Sequence, residues 1–425
     1  MNDLSSSAPR VVTAAPVSSA RSVSTIAFLV MAVDGFDTAA ISYVAPTLAT
    51  QWQVPASALA PTFIMTSVGA MLGYLASGPA VTRFGRHAVV VAAIGSFALL
   101  SLATALTGSV GEMAVLRLLT AFFLGVVVPA VIAGASGAVT PAQRASVTAL
   151  VTMGMSVGAA IGGGAAAFLI SKFGWESVFL TGGVLPLLLL PAVIRTLRDD
   201  DRSEAIGESE PNDEARRPAL VVPSAKALLR APYLASTLLI WAFACLGFLA
   251  AYALLFWMPT FLVSFGFEAS KSALGTMAVS AGGVLGSLLL IVSVKRVGAE
   301  RVLMALLGMG LIGFGVLGSA TLSGAAGVLL LSACVGAATG TMCVGQAVLA
   351  VRTYPLALRT TGVGCTAAAG RLGSIAGPGA VGLLLSLGFG ARDILLGGIV
   401  PILMMIGLLF VMQRVAARAT LAFDS

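Results

Sequence analysis

The sequence predicts an all-α polytopic membrane protein, with twelve transmembrane helices arranged as two pseudo-symmetric six-helix bundles. Three observations carry that expectation. Of 425 residues, 58% are hydrophobic and 10% charged, and mean hydropathy is +1.02; ordinary soluble domains carry about 25% charged residues. Such a chain cannot cover itself with water-facing side chains. Twelve runs reach the roughly 20 apolar residues that cross a bilayer's hydrocarbon. One polar segment, 195–230, divides them six and six.

The first six runs fall at about 22–45, 57–79, 88–107, 112–138, 143–170 and 176–195. The second six fall at about 233–259, 270–294, 301–320, 325–351, 358–386 and 390–413. Span 1 holds Asp34 and Asp37, span 2 leads into a loop with Arg83 and Arg86, and span 4 holds Arg117. In span 5, Gly154, Gly158 and Gly162 make a small-residue face on which helices approach closely, and Gly373 and Gly377 repeat the spacing in span 11. Spans 7 and 10 add Trp241, Phe248, Tyr252 and Gln346, and span 11 holds Arg371. Spans 3, 6, 8, 9 and 12 rest on length and apolar composition alone.

The expected organisation is a disordered tail at 1–21, a bundle at 22–195, a linker at 196–232, a second bundle at 233–413 and a tail at 414–425. Residues 195–230 mix seven basic with eight acidic residues and read as solvated chain. Residues 1–21 do not read as a cleaved signal sequence, because the first apolar run is full length and holds two aspartates. Lys and Arg set the orientation. With the N-terminus in the cytoplasm, 19 of the 24 fall on the cytoplasmic side, three on the other, and two (Arg117 and Arg371) inside spans. Both termini are therefore expected in the cytoplasm. The net charge of +7 then reflects topology, and no nucleic-acid partner is expected.

Composition also excludes chemistry. His87 is the single histidine, and it reads as an interfacial loop residue. Cys245, Cys334, Cys343 and Cys365 lie in apolar runs without a CxxC, so they read as packing residues and not as disulfides or zinc ligands. Gly154–Gly158 spells G-x-S-x-G and Gly308–Gly313 spells G-x-G-x-x-G, but both lie inside apolar spans and not at a strand-to-helix turn, and there is no phosphate loop. Neither an enzyme nor a cofactor or metal is expected.

The halves repeat. Gly158 and Gly162 map onto Gly373 and Gly377, and Gly125 onto Gly340, with one offset of 215. The same offset maps Gly182-Gly183-Val-Leu-Pro186 onto Gly397-Gly398-Ile-Val-Pro401. Arg83-Phe-Gly85 maps onto Arg296-Val-Gly298 with an offset of 213. A shared offset across several spans points to duplication, and paired bundles around a central site are the architecture of alternating-access carriers. A channel fits that arrangement less well.

The buried charges point the same way. Asp34 lies 13 residues beyond Arg21, about 20 Å along a helix and so near mid-bilayer. Arg371 lies 12 residues beyond Arg359, at similar depth. A charge there costs about 2.5–3.5 kcal/mol on the insertion scale, so such residues face a wet cavity or a partner. Asp34 and Asp37, three apart, share a helix face and resist double ionisation, which suits a proton carrier; the alternative is a structural salt bridge. Arg371 offers a carboxylate a bidentate fork; the alternative is an ion pair with a span-1 aspartate.

Gly73-Tyr-Leu-Ala-Ser-Gly78-Pro79-Ala-Val-Thr82-Arg83-Phe-Gly85-Arg86-His87 resembles the loop signature of the major facilitator superfamily, with an echo at Lys295-Arg296-Val-Gly298-Ala-Glu300-Arg301. Asp34-Gly35-Phe36-Asp37-Thr38, Ala45-Pro46, Tyr354-Pro355, Arg359-Thr-Thr-Gly362-Val-Gly364, Gly370-Arg371-Leu-Gly373 and Gly377-Pro378 are similar to the aromatic acid:proton symporter family, of the 4-hydroxybenzoate and benzoate type. One departure is Thr82, where the signature has an acid that helps close the cytoplasmic side.

The resemblance implies the major facilitator fold in the bacterial inner membrane and uptake of a small aromatic carboxylate with a proton. The partners would be that acid, the proton and membrane lipid, and the protein would be a monomer. It implies a gating role for Gly78, Arg83, Gly85 and Arg86, and links Arg117 to proton coupling alongside Asp34 and Asp37; pairing with Glu112 or snorkelling to the interface is the alternative for Arg117. Trp241, Phe248 and Tyr252 share a helical face and would stack on a substrate ring. Tyr43 and Gln346 would bond a ring hydroxyl. Rival functions are a carrier of a non-aromatic organic anion and a drug or metabolite exporter. The absence of proline from the Gly154–Gly164 stretch of span 5 leans against export.

Overall fold

The structure, a computed structural model, describes residues 17–140, 143–207, 227–230, 232–319 and 324–423. The first bundle contains α1 (Val17–Gln51), α2 (Ala60–Phe84), α3 (Arg86–Thr104), α4 (Val110–Gly137), α5 (Arg144–Phe173) and α6 (Glu176–Gly207). The second contains α7 (Leu234–Ser264), α8 (Leu274–Val297), α9 (Ala299–Ser319), α10 (Ala325–Thr353), α11 (Leu356–Ser386), α12 (Ala391–Gly397) and α13 (Ile399–Phe423). They supply twelve candidate membrane spans, with α12 and α13 sharing the last.

Several boundaries differ from expectation; α13, for one, runs to Phe423 through most of the tail expected at 414–425. Helix α1 begins at Val17, so residues 17–21 are helical and not disordered. Helix α6 runs to Gly207, well into the expected linker. The last span breaks at Gly398. Pro401 explains that break, because it has no N–H for the Gly397 carbonyl and its ring crowds that group. The disorder expected at 1–16 and the linker expected at 208–226 lie outside the described residues.

The halves are built alike. Helix α1 crosses α5 where a Cβ on Gly158 would overlap the Ala32 carbonyl. Helix α7 crosses α11 at the mapped position, where a Cβ on Gly373 would overlap the Cys245 carbonyl. The two α-helical junctions that the repeat aligns, Gly85 and Gly298, both sit at positive φ, +79° and +90°, where a side chain is strained. Leu75, Leu188 and Val292 are exposed, as lipid-facing residues are.

The bundles meet through α1, α2 and α5 on one side and α7, α8 and α11 on the other. Ser42 and Thr276 share a hydrogen bond of 3.2 Å, and Ser67 Oγ donates to the Ser374 carbonyl at 2.9 Å. Phe63 stacks on Phe256 with centroids 5.0 Å apart and meets Trp257 edge-on. These contacts lie toward the end that carries the α1–α2 and α7–α8 connections. At the other end, Arg352 pairs with Glu300 at 2.8 Å within the second bundle. Thr82 Oγ1 there donates back to the Gly78 carbonyl at 3.0 Å.

Candidate functional site

The two aspartates of α1 are both buried, yet they have different surroundings. Asp37 accepts from Arg117 Nη1 of α4 at 3.0 Å and from Ser101 Oγ of α3 at 2.7 Å. Arg117 Nη2 donates to Thr104 and Thr120 at 3.2 and 3.3 Å, and its guanidinium lies 4.9 Å from the Phe179 ring of α6. Four helices of one bundle thus enclose one balanced ion pair. Arg117 is 1% exposed, so it does not snorkel. Glu112 is not its partner; its carboxylate accepts from the Gly108 amide at 3.0 Å, beside the Ser109 cap of α4.

Asp34 instead lines a cavity between the bundles, and its Oδ2 has no hydrogen-bond partner. Thr38, Thr66, Ser67 and Tyr74 join it from the first bundle, and Tyr252, Phe256 and Arg371 from the second. The free volume is about 20 Å³, room for about one water. Arg371 Nη1 donates to the Tyr252 hydroxyl at 3.2 Å. Its guanidinium lies 4.2 Å from the Tyr74 ring and 5.8 Å from Phe248. Phe248 stacks on Tyr252, and Tyr252 meets Phe256 edge-on, forming an aromatic ladder along α7. Among the described residues no ion pair joins Arg371 to Asp34; the fully buried charge pair is Arg117–Asp37.

The other expected residues divide. Tyr43 does not line the cavity; its hydroxyl donates to the Ala159 carbonyl at 2.7 Å and ties α1 to α5. Trp241 and Gln346 also lie outside the cavity walls, with Trp241 Nε1 and Gln346 Oε1 buried without partners. Gly78, Arg83, Gly85 and Arg86 sit at the α2–α3 junction, where Arg83 lies over Phe84 and Arg86 beside Gly134 of α4. The motif residue Tyr354, outside the spans, donates to Thr237 at 3.0 Å, and burial raises its phenol above the ordinary tyrosine value. The four cysteines are free.

Sequence reasoning missed Tyr74, Ser101, Thr104 and Thr120. Tyr74 had a signal: it is the one residue of span 2 that joins an aromatic ring to a polar group. The hydroxyls had little, since Ser and Thr are common in these spans and mostly bond their own helix.

Two repeated bundles that close over a small cavity, with Asp34 in one wall and Arg371 in the other, are the architecture of a membrane carrier. The chain belongs to the Major Facilitator Superfamily, whose family model matches residues 27–378. A gallate transporter of Pseudomonas putida is 30% identical over 395 residues, covering 86% of this chain and 85% of the relative. The 4-hydroxybenzoate transporter PcaK of Pseudomonas aeruginosa is 30% identical over 400 residues, covering 88% of each. The resemblance to aromatic acid transporters is borne out. Among solved structures, a bacterial homologue of the human lysosomal transporter Spinster, inward-facing and unoccupied, matches with a TM-score of 0.73 at 15% identity. It covers 94% of this chain and 98% of that one, and at such identity it speaks for the fold alone. The protein is a multi-pass membrane transporter.

Proposed function

We propose that the protein imports a small aromatic carboxylate, such as a hydroxybenzoate, together with a proton across the bacterial inner membrane, with both termini in the cytoplasm. One observation carries the reading. Arg371 and Asp34 face one cavity from opposite bundles, neither is in an ion pair among the described residues, and the arginine is flanked by aromatic rings. The guanidinium keeps in-plane donors for a carboxylate, and the α7 ladder offers a ring flat surfaces.

Asp34 takes the coupled proton, because nothing else bonds its Oδ2. Asp37 and Arg117 act differently: their charges cancel, and the pair holds α1 in register so that Asp34 faces the cavity. Protonation of Asp34 and occupation of Arg371 leave the cavity with little net charge, which eases the rocking of the bundles past the hydrocarbon. An inward-moving proton gains about 2.3 kcal/mol per 100 mV. The Lys and Arg asymmetry supports the orientation.

The test is uptake of radiolabelled 4-hydroxybenzoate by proteoliposomes under an inward proton gradient. Accumulation that a protonophore abolishes is expected. Absence of both accumulation and counterflow would overturn the substrate assignment.

A further inference from the structure

The cavity has room for about one water, at about 20 Å³, whereas a benzene ring occupies an engineered cavity of about 150 Å³. In this state a ring therefore reaches Arg371 only if a lining side chain leaves. Several walls cannot give way. Ala70, Ala121 and Gly125 are already small, and α2 and α4 touch where a Cβ on Gly73 would overlap the Phe122 carbonyl. Phe256 is held between Phe63 and Tyr252, and Tyr252 between Phe248 and Phe256.

Tyr74 is different. It is half-buried and packs against the apolar core of the first bundle, but among the described residues no aromatic ring braces it; the Arg371 guanidinium lies 4.2 Å from its ring. Its side chain is also a phenol with a para substituent, which is the skeleton of a hydroxybenzoate.

We propose that Tyr74 is a displaceable placeholder, whose ring fills the slot that the ring of an arriving aromatic carboxylate takes. This rests on the reading of the site as an aromatic-acid site. The substrate carboxylate bonds Arg371 in the guanidinium plane while its ring evicts Tyr74 from the slot. Because Tyr74 belongs to the first bundle and Arg371 to the second, eviction also breaks a contact between bundles. The slot measures one ring, so one-ring acids are the substrate class and two-ring acids are excluded.

The experiment is calorimetric titration of the full-length protein in nanodiscs, wild type against Tyr74→Ala, with benzoate, 2-naphthoate and p-cresol. The last is the excised side chain itself. Wild type is expected to bind benzoate but neither p-cresol nor 2-naphthoate. Tyr74→Ala is expected to bind benzoate and p-cresol and still to refuse 2-naphthoate, with benzoate about two- to thirtyfold tighter because no cation–π contact has to be broken first. Tyr74→Phe keeps the ring and should still refuse p-cresol. A tyrosine that merely supports the fold would weaken every ligand on removal. Failure of Tyr74→Ala to bind p-cresol, or benzoate binding no tighter than wild type, overturns the proposal. If Tyr74→Ala binds p-cresol while neither protein binds an aromatic acid, the ring slot stands and the aromatic-acid reading falls. Should the alanine variant not remain monodisperse, Tyr74→Leu carries the same comparison, because it too removes the ring face.

Discussion

Asp34 and Asp37 show how closely chemistry can sit beside support. Three residues on a helix are about 60° apart around its axis. That angle is small enough for both to read as one face in sequence. It is also large enough to turn Asp37 toward Ser101 and Arg117 and leave Asp34 in the cavity. The charges themselves were legible because lipid makes them expensive; their partners were not, because periodicity gives direction only coarsely. The two positions should fail differently. Asp34→Asn is expected to abolish proton-driven accumulation while keeping counterflow, as the same proteoliposomes would read out. Asp37→Leu leaves Arg117 buried with an uncompensated charge and should cost about 3–5 kcal/mol of stability. The double variant Asp37→Leu/Arg117→Met should recover most of that loss in a thermal melt, since the apolar pair needs no counter-charge. Arg371→Lys keeps a cation but loses the fork, and should weaken benzoate binding by about tenfold or more, the worth of one charge-assisted hydrogen bond.

At the scale of elements, length and apolarity made the spans legible, and all twelve runs correspond to helices. Hydropathy reports where lipid ends and not where a helix ends. That is why α1 starts earlier than its apolar run and α6 continues through a charged stretch. The glycine spacings were legible too, since the mapped residues Gly158 and Gly373 form the tight crossings of their bundles. Gly158→Leu is expected to push α1 from α5 and lower the melting temperature in detergent by several degrees. Gly95→Leu is its control, because no atom lies within 4 Å of where a Cβ would stand. An equal effect at both positions would show that the crossing carries no special strain.

At the scale of the molecule, the common offset of 215 between halves makes the two-bundle plan readable in the sequence. The conformational state was not readable, because one sequence serves every stage of a transport cycle. In this state the bundles touch toward the α1–α2 and α7–α8 end, where Ser42 and Thr276 are 3.2 Å apart. Cysteines at those positions, in a background without the native four, should form a disulfide. Oxidation should then stop transport while leaving benzoate binding intact, and reduction should restore it. Transport that continued through the cross-link would mean that this end need not open.

The buried Asp37–Arg117 pair also constrains how the protein is made. Its members lie on α1 and α4, three helices apart in the order in which they leave the ribosome. For the time it takes to synthesise two intervening helices, the nascent chain holds an aspartate whose counter-charge does not yet exist. Membrane insertion must therefore keep α1 near the translocon, or near water, until α4 arrives. The first half of this protein matures as a set of at least four helices, not one helix at a time.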